Sequence, residues 1–196
     1  SQRWDGFKVP WPFYRTFDKN DDRLSVLVGE YMGNDGVLFN EESDIIKHGN
    51  TYSGAVPVKY GEDPESTGDG SQIDWIVYRY ADVLTLLSEA IVRQGNSVTQ
   101  EAVDLLNQIR VRAKLSPYTM GDIKGVDDFL DKMLQERGHE FWWEGNRRAD
   151  LIRHGKFIQN AIDRGSTTTK PEFVLFPLPQ AVINEGKGII IQNPGY

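Results

Sequence analysis

Residues 136–153, Glu-Arg-Gly-His-Glu-Phe-Trp-Trp-Glu-Gly-Asn-Arg-Arg-Ala-Asp-Leu-Ile-Arg, constrain the fold of this chain more than any other stretch. Half of these side chains are ionisable, yet they continue a helical pattern whose apolar stripe is set by Leu130, Met133, Leu134 and Phe141. Arg137 falls seven residues after Leu130 and Glu140 seven after Met133, so both charges lie on that stripe. An unpaired charge in a core is strongly destabilising, so the fold has to supply partners. Glu136, Glu140 and Glu144 are four apart on one face, and arginines follow closely at Arg147, Arg148 and Arg153. Guanidinium forks bind carboxylates bidentately. The spacing predicts a partly buried ion network of Glu136, Arg137, Glu140, Glu144, Arg147, Asp150 and Arg153, clamping a helix to the segment after Gly145. Three carboxylates on one face also suit metal ligation or acid–base catalysis, but no second cluster in the sequence completes such a site.

Two regions differ in pattern. Residues 1–73 are rich in turn formers and aromatics, with short strand-like runs at 24–28 and 56–60 and a polar, glycine-rich loop at 61–72. From residue 74 helical periodicity takes over. Tyr80, Val83, Leu84, Leu87 and Ile91 form an amphipathic stripe, Gly95-Asn96 stops it, and Ser97-Val98-Thr99-Gln100 reads as a capping box for a second helix. The second stripe is Ala102, Leu105, Leu106, Ile109 and Ala113. The short connection predicts an antiparallel hairpin over 78–114, close in length to one tetratricopeptide-type repeat. One hairpin cannot bury its own faces, so further helices are expected against it. A third helix is expected over 126–144 and a short fourth over 147–154, followed by an irregular, extended ending.

Composition excludes several classes. The 196 residues carry a net charge of −7, unlike a nucleic-acid binder with its basic face. There is no cysteine, so no disulfide, thiolate nucleophile or cysteine-type zinc site. His139-Glu140 lacks the second histidine of a zinc-protease helix, since Trp143 stands at the fourth position on. Asp18 opens an apparent calcium loop, but Arg23 and Gly29 occupy the positions where an EF-hand needs glycine and glutamate. A turn capped by Asx side chains is expected there instead. No phosphate loop or dinucleotide fingerprint is present, and no metal or cofactor is expected. The unusual component is aromatic: five Trp, eight Tyr and nine Phe, many of them early. Rings on loops can stack on sugar faces or plug an irregular core. On aromatic chemistry, Trp4, Trp11 and Tyr14 are the candidate glycan-binding residues.

Four motifs together resemble the SusD/RagB family. Arg79-Tyr80-Ala81-Asp82-Val83-Leu84 with Glu89-Ala90 is similar to its RYADVL helix, and Leu106-Asn107-Gln108-Ile109-Arg110-Val111-Arg112-Ala113 to its LNQVRARA helix. Glu136-Arg137, Glu140, Glu144-Gly145, Arg147, Asp150-Leu151 and Arg153 resemble its ERxxEFxxEGxRxxDLxR pattern. Leu178-Pro179 and Gln192-Asn193-Pro194-Gly195-Tyr196 resemble its ending; beyond these four, Phe17-Asp18 with Asn20-Asp21 and Arg23 adds a weaker similarity to SFDxNDxR. The resemblance implies a mainly α fold: a tetratricopeptide-like hairpin scaffold of the SusD-like α/α superhelix, with long irregular loops and a few short strands. It implies that residues 1–196 are the C-terminal part of such a domain, members usually being much longer. It also implies a non-catalytic protein on the outer-membrane surface, held by an N-terminal lipid anchor absent from this chain. Such a protein binds oligosaccharide or polysaccharide and passes it to a SusC-like TonB-dependent transporter. The alternatives are a protein-interaction module docking on the transporter and, through Glu140 or Glu144, a carboxylate-based glycosidase.

Overall fold

A computed structural model describes residues 7–61, 63–67 and 70–196. The fold is mainly α with a few two- to four-residue strands, in two compact units, Ser1–Gly145 and Asn146–Tyr196. The first contains β1 (Val9–Pro10), α1 (Trp11–Tyr14), β2 (Leu27–Val28), β3 (Tyr31–Met32), β4 (Leu38–Phe39), α2 (Glu41–Tyr52), β5 (Gly54–Pro57), α3 (Tyr80–Gly95), α4 (Gln100–Arg112) and α5 (Val126–Phe141). The second contains α6 (Arg147–Arg153), α7 (Phe157–Asp163) and α8 (Gln180–Glu185).

The helical hairpin forms where the periodicity places it. Asn96, in the left-handed region at φ 45°, ends α3, and α4 starts four residues later, at Gln100. The cap is Thr99 rather than Ser97, its hydroxyl accepting from the Ala102 amide at 3.2 Å. Replacing Thr99 with alanine is expected to cost about 1 kcal/mol in urea unfolding, the usual worth of a side-chain cap. The α4 stripe packs inward as expected: Ala102, Leu106, Ile109 and Ala113 are buried, with Val92 of α3 and Phe129, Leu130 and Met133 of α5 around them.

Of the stripe expected on α3, Leu84 is buried and Ile91 packs against the core, but the other three residues face outward. Tyr80 is 71% exposed and Val83 58%, and Leu87 is exposed as well, while Ala81, Asp82, Leu84, Thr85, Ser88, Glu89 and Val92 are buried. The reason is that α3 packs through its small polar face. The Ser88 hydroxyl donates to the Ala102 carbonyl at 2.6 Å, a contact a larger apolar side chain would block. Asp82 and Glu89 are accepted inside because Arg137 and Arg93 reach them, at 2.7 and 2.6 Å. Among the described residues, the apolar face of α3 remains uncovered.

Residues 7–57 fold around two small sheets. One has the order β1-β5-β2, antiparallel, with Val9 opposite Ala55 and Leu27 opposite Pro57. Glycine is required at Gly54, because a Cβ there would stand 2.3 Å from the Val9 carbonyl oxygen. The run expected as a strand over 24–28 is instead a 3-10 helix, Asp22–Val26, leading into β2. Asp21 caps that turn, and Asp18 accepts from the Asn20 amide at 2.8 Å, so the acidic run forms Asx-type turns. The second sheet is the β3–β4 hairpin, which sets Tyr31 opposite Phe39. Asn40 and Ser43 then cap α2 reciprocally.

Candidate functional site

The charged end of α5 is an ion network, and most of its basic partners come from elsewhere in the chain. Arg23 forks onto Asp21, with Nε 2.8 Å from Oδ1 and Nη2 2.6 Å from Oδ2, and its Nη1 lies 2.7 Å from Glu136 and 3.3 Å from Glu140. Arg110 donates to Glu136 at 2.9 Å. Arg79 and Arg112 both pair with Glu140, and Arg79 Nε donates to Glu144 at 2.8 Å. Lys59 pairs with Glu144 and donates to the carbonyls of Glu140 and Trp142, at 2.7 and 3.1 Å. Arg137 donates to Asp82 at 2.7 Å and Thr85 at 2.6 Å. Of the residues expected in the network, Glu136, Arg137, Glu140 and Glu144 lie here. Arg147, Asp150 and Arg153 lie in the second unit, where Arg153 donates to Asp150 at 3.0 Å within α6. Sequence reasoning missed Arg23, Lys59, Arg79, Arg110 and Arg112. All but Lys59 belong to the motifs quoted above, so those motifs meet at one buried site.

The electrostatics favour permanently ionised groups. Burial raises the Glu140 carboxyl pKa, but Arg79, Arg112 and Arg23 outweigh it and hold the group below its ordinary value. Burial lowers the Arg79 guanidinium pKa, and Glu144 and Glu140 reverse the sign. The Lys59 ammonium is pushed down on balance, its burial outweighing Glu144. A depressed, fully engaged carboxyl is the opposite of what a glycosidase general acid needs. Among the described residues, no cluster of His, Cys, Asp and Glu could hold a metal ion.

Of the aromatic candidates, Trp4 lies outside the described residues. Trp11 is only 3% exposed, and its indole N–H donates to Asp44 at 3.1 Å. Its ring packs with Val9, Phe17, Leu27, Ala55 and Trp142 in the core, with no face open for a sugar. Tyr14 is partly buried, edge-on to Trp11 at 5.4 Å, with its hydroxyl end filling the space a Cβ on Gly29 would take.

Open rings occur instead around a cleft of about 920 Å³ between the hairpin, α2, β5 and the turn after α5. Tyr31 and Phe39 stack across the hairpin at 4.7 Å and 27°, and Trp143 meets Phe7 edge-on at 6.2 Å. Ser43, Asp44, Lys47 and His48 line the same cleft from one face of α2, together with Lys8 and Asn34. Asp44 is the buried anchor. Its carboxylate accepts from Lys8 at 2.6 Å, from Trp11 and from the Gly54 amide at 2.7 Å, and lies 2.8 Å from His48 Nδ1. Burial raises the Asp44 pKa, but donors from Lys8, Gly54 and His48 outweigh it and keep the group ionised below its ordinary range. Rings beside fixed polar groups are the chemistry of a saccharide cleft: faces for C–H stacking, with donors and acceptors for hydroxyls. The sequence held one signal for it, Asp44 and His48 four apart on a capped helix. The convergence of Lys8 and Trp143 on that helix is long-range and left none.

The chain matches the model of the SusD family, SusD_RagB, over residues 9–196. The starch-binding protein SusD of Bacteroides thetaiotaomicron is 27% identical over 165 residues, 81% of this chain and 27% of that protein. The SusD-like protein P38 of Formosa agariphila is 38% identical over 90 residues, 43% of this chain and 18% of that one. Among solved structures, a SusD homolog from Bacteroides thetaiotaomicron superposes with a TM-score of 0.73 at 21% identity, covering 96% of this chain and 44% of that one. The surface glycan-binding protein A of Bacteroides uniformis gives 0.67 at 22%, covering 95% and 40%. The chain thus spans less than half the length of each of these relatives. With the family model covering all but the first eight residues, the chain belongs to the SusD family.

Proposed function

We propose that this chain is part of a non-catalytic glycan-binding component of a SusC/SusD-like outer-membrane uptake system, capturing oligosaccharide at the cell surface and passing it to a TonB-dependent transporter. The observation that carries the reading is the cleft that sets Tyr31, Phe39 and Trp143 beside Lys8, Asp44 and His48. Similarity to a starch-binding protein and to a surface glycan-binding protein in complex with laminarihexaose supports a glucan-type ligand. No helix among the described residues is long and apolar enough to cross a membrane.

Isothermal titration against a panel of soluble oligosaccharides tests the reading. Binding of at least one is expected, and Tyr31→Ala should weaken it about five- to tenfold, the worth of one stacking contact. Failure of the full-length protein to bind any glycan would overturn it. The exposed apolar face of α3 favours a second reading, a module that docks on the transporter through Tyr80, Val83 and Leu87 without touching glycan. Retained transporter pull-down by a Tyr31→Ala, Trp143→Ala variant, with transporter capture lost in Val83→Asp and no glycan binding by any form, would favour it.

A further inference from the structure

Trp143 has φ 67°, the left-handed region, which a bulky side chain occupies only when its surroundings impose it. Here the imposing groups are identifiable. Lys59 Nζ donates to the carbonyls of Glu140 and Trp142 and pairs with the Glu144 carboxylate. Arg79 donates from Nη2 to the Glu140 carbonyl at 2.8 Å and from Nε to Glu144 at 2.8 Å. The chain is therefore pinned on both sides of Trp143. Trp142 fills the core, and Trp143 packs against the edge of that core while lining the cleft, where it meets Phe7 edge-on and keeps a partly exposed ring. A strained backbone, held by two cations and ending in an aromatic ring on a cleft wall, is the kind of feature that marks a ligand site.

We propose that Trp143 is the platform on which a pyranose ring of the bound oligosaccharide stacks, and that Lys59 and Arg79 are positioning residues that impose its left-handed backbone. The ligand class rests on the glycan reading above; the strain does not.

The test uses the full-length protein and the best-bound oligosaccharide of the panel. Trp143→Ala and Trp143→Gly should each weaken binding about tenfold, and Trp143→Phe should stay within about threefold, since the phenyl face also stacks. Trp143→Gly should melt about 2–4 °C above Trp143→Ala, because glycine alone accepts this backbone freely. Lys59→Met should weaken binding in the wild-type background and change nothing further in Trp143→Ala. Arg79→Lys, which keeps the charge but cannot span the Glu140 carbonyl and Glu144 together, should behave the same way. Wild-type affinity in Trp143→Ala would overturn the stacking role. Equal losses in both backgrounds would overturn the positioning role, and equal melting of the Gly and Ala variants would overturn the strain. A wild-type protein that binds no oligosaccharide would overturn the glycan reading itself, while the melting comparison would still decide the strain.

Discussion

Replacing Arg137 with alanine is expected to lower the unfolding free energy by about 3–5 kcal/mol, the cost of breaking a buried pair from one side. Arg137 is buried on α5 and donates to Asp82 and Thr85 of α3, and its guanidinium lies 4.8 Å from the Phe141 ring centre. Removing it strands the buried Asp82 carboxylate, where little water can reach it. Most of the loss is the price of that orphaned charge rather than the net worth of the pair. The double variant Arg137→Met with Asp82→Leu should therefore be less destabilised than Arg137→Ala alone. Urea unfolding of the three proteins measures both quantities. A single-variant loss below about 1 kcal/mol would mean the pair is solvated.

The second large effect is the dependence of stability on acid. Glu140 is ionised in the fold with its pKa held below the ordinary 4.5 by Arg79, Arg112 and Arg23. A carboxyl depressed in the folded state contributes stability that is present above its unfolded pKa and is lost as the pH falls through the folded value. Asp44 is depressed too and acts in the same direction. Stability should thus be level from neutrality down to about pH 5 on this account and fall steeply below the ordinary carboxyl range. Glu140→Gln should be less stable at pH 7 by about 1–3 kcal/mol, since Arg79, Arg112 and Arg23 each lose a charged acceptor while Arg23 keeps Asp21 and Glu136, and its acid limb should be shallower. Parallel acid limbs in the two proteins would show that Glu140 is not among the titrating groups.

How much of this was legible in the sequence varies by element. The α4 stripe and the charged helical phase of α5 were readable because local periodicity carries them. The inward face of α3 was legible only in part: Leu84 and Ile91 turn inward, but Ala81, Thr85 and Ser88 around two charged residues make up much of the buried face, so the apolar pattern of Tyr80, Val83 and Leu87 points to the wrong side. The end of α5 was placed too late, because Lys59 and Arg79, far away in sequence, stop the helix at Phe141 and turn Trp143 over. The same long-range geometry hid the cleft. Trp11 looked like a loop aromatic available to a sugar, but β1 and β5 close over it and Asp44 takes its N–H.

Hydrogen exchange of the full-length protein, with and without a saturating oligosaccharide, tests the central claim most directly, because it locates the ligand without assuming any residue. The account predicts slowed exchange of backbone amides in residues 31–39, 43–48 and 142–144, three of the segments that wall the cleft. Protection confined to residues 73–87, with the cleft segments unchanged, would contradict it.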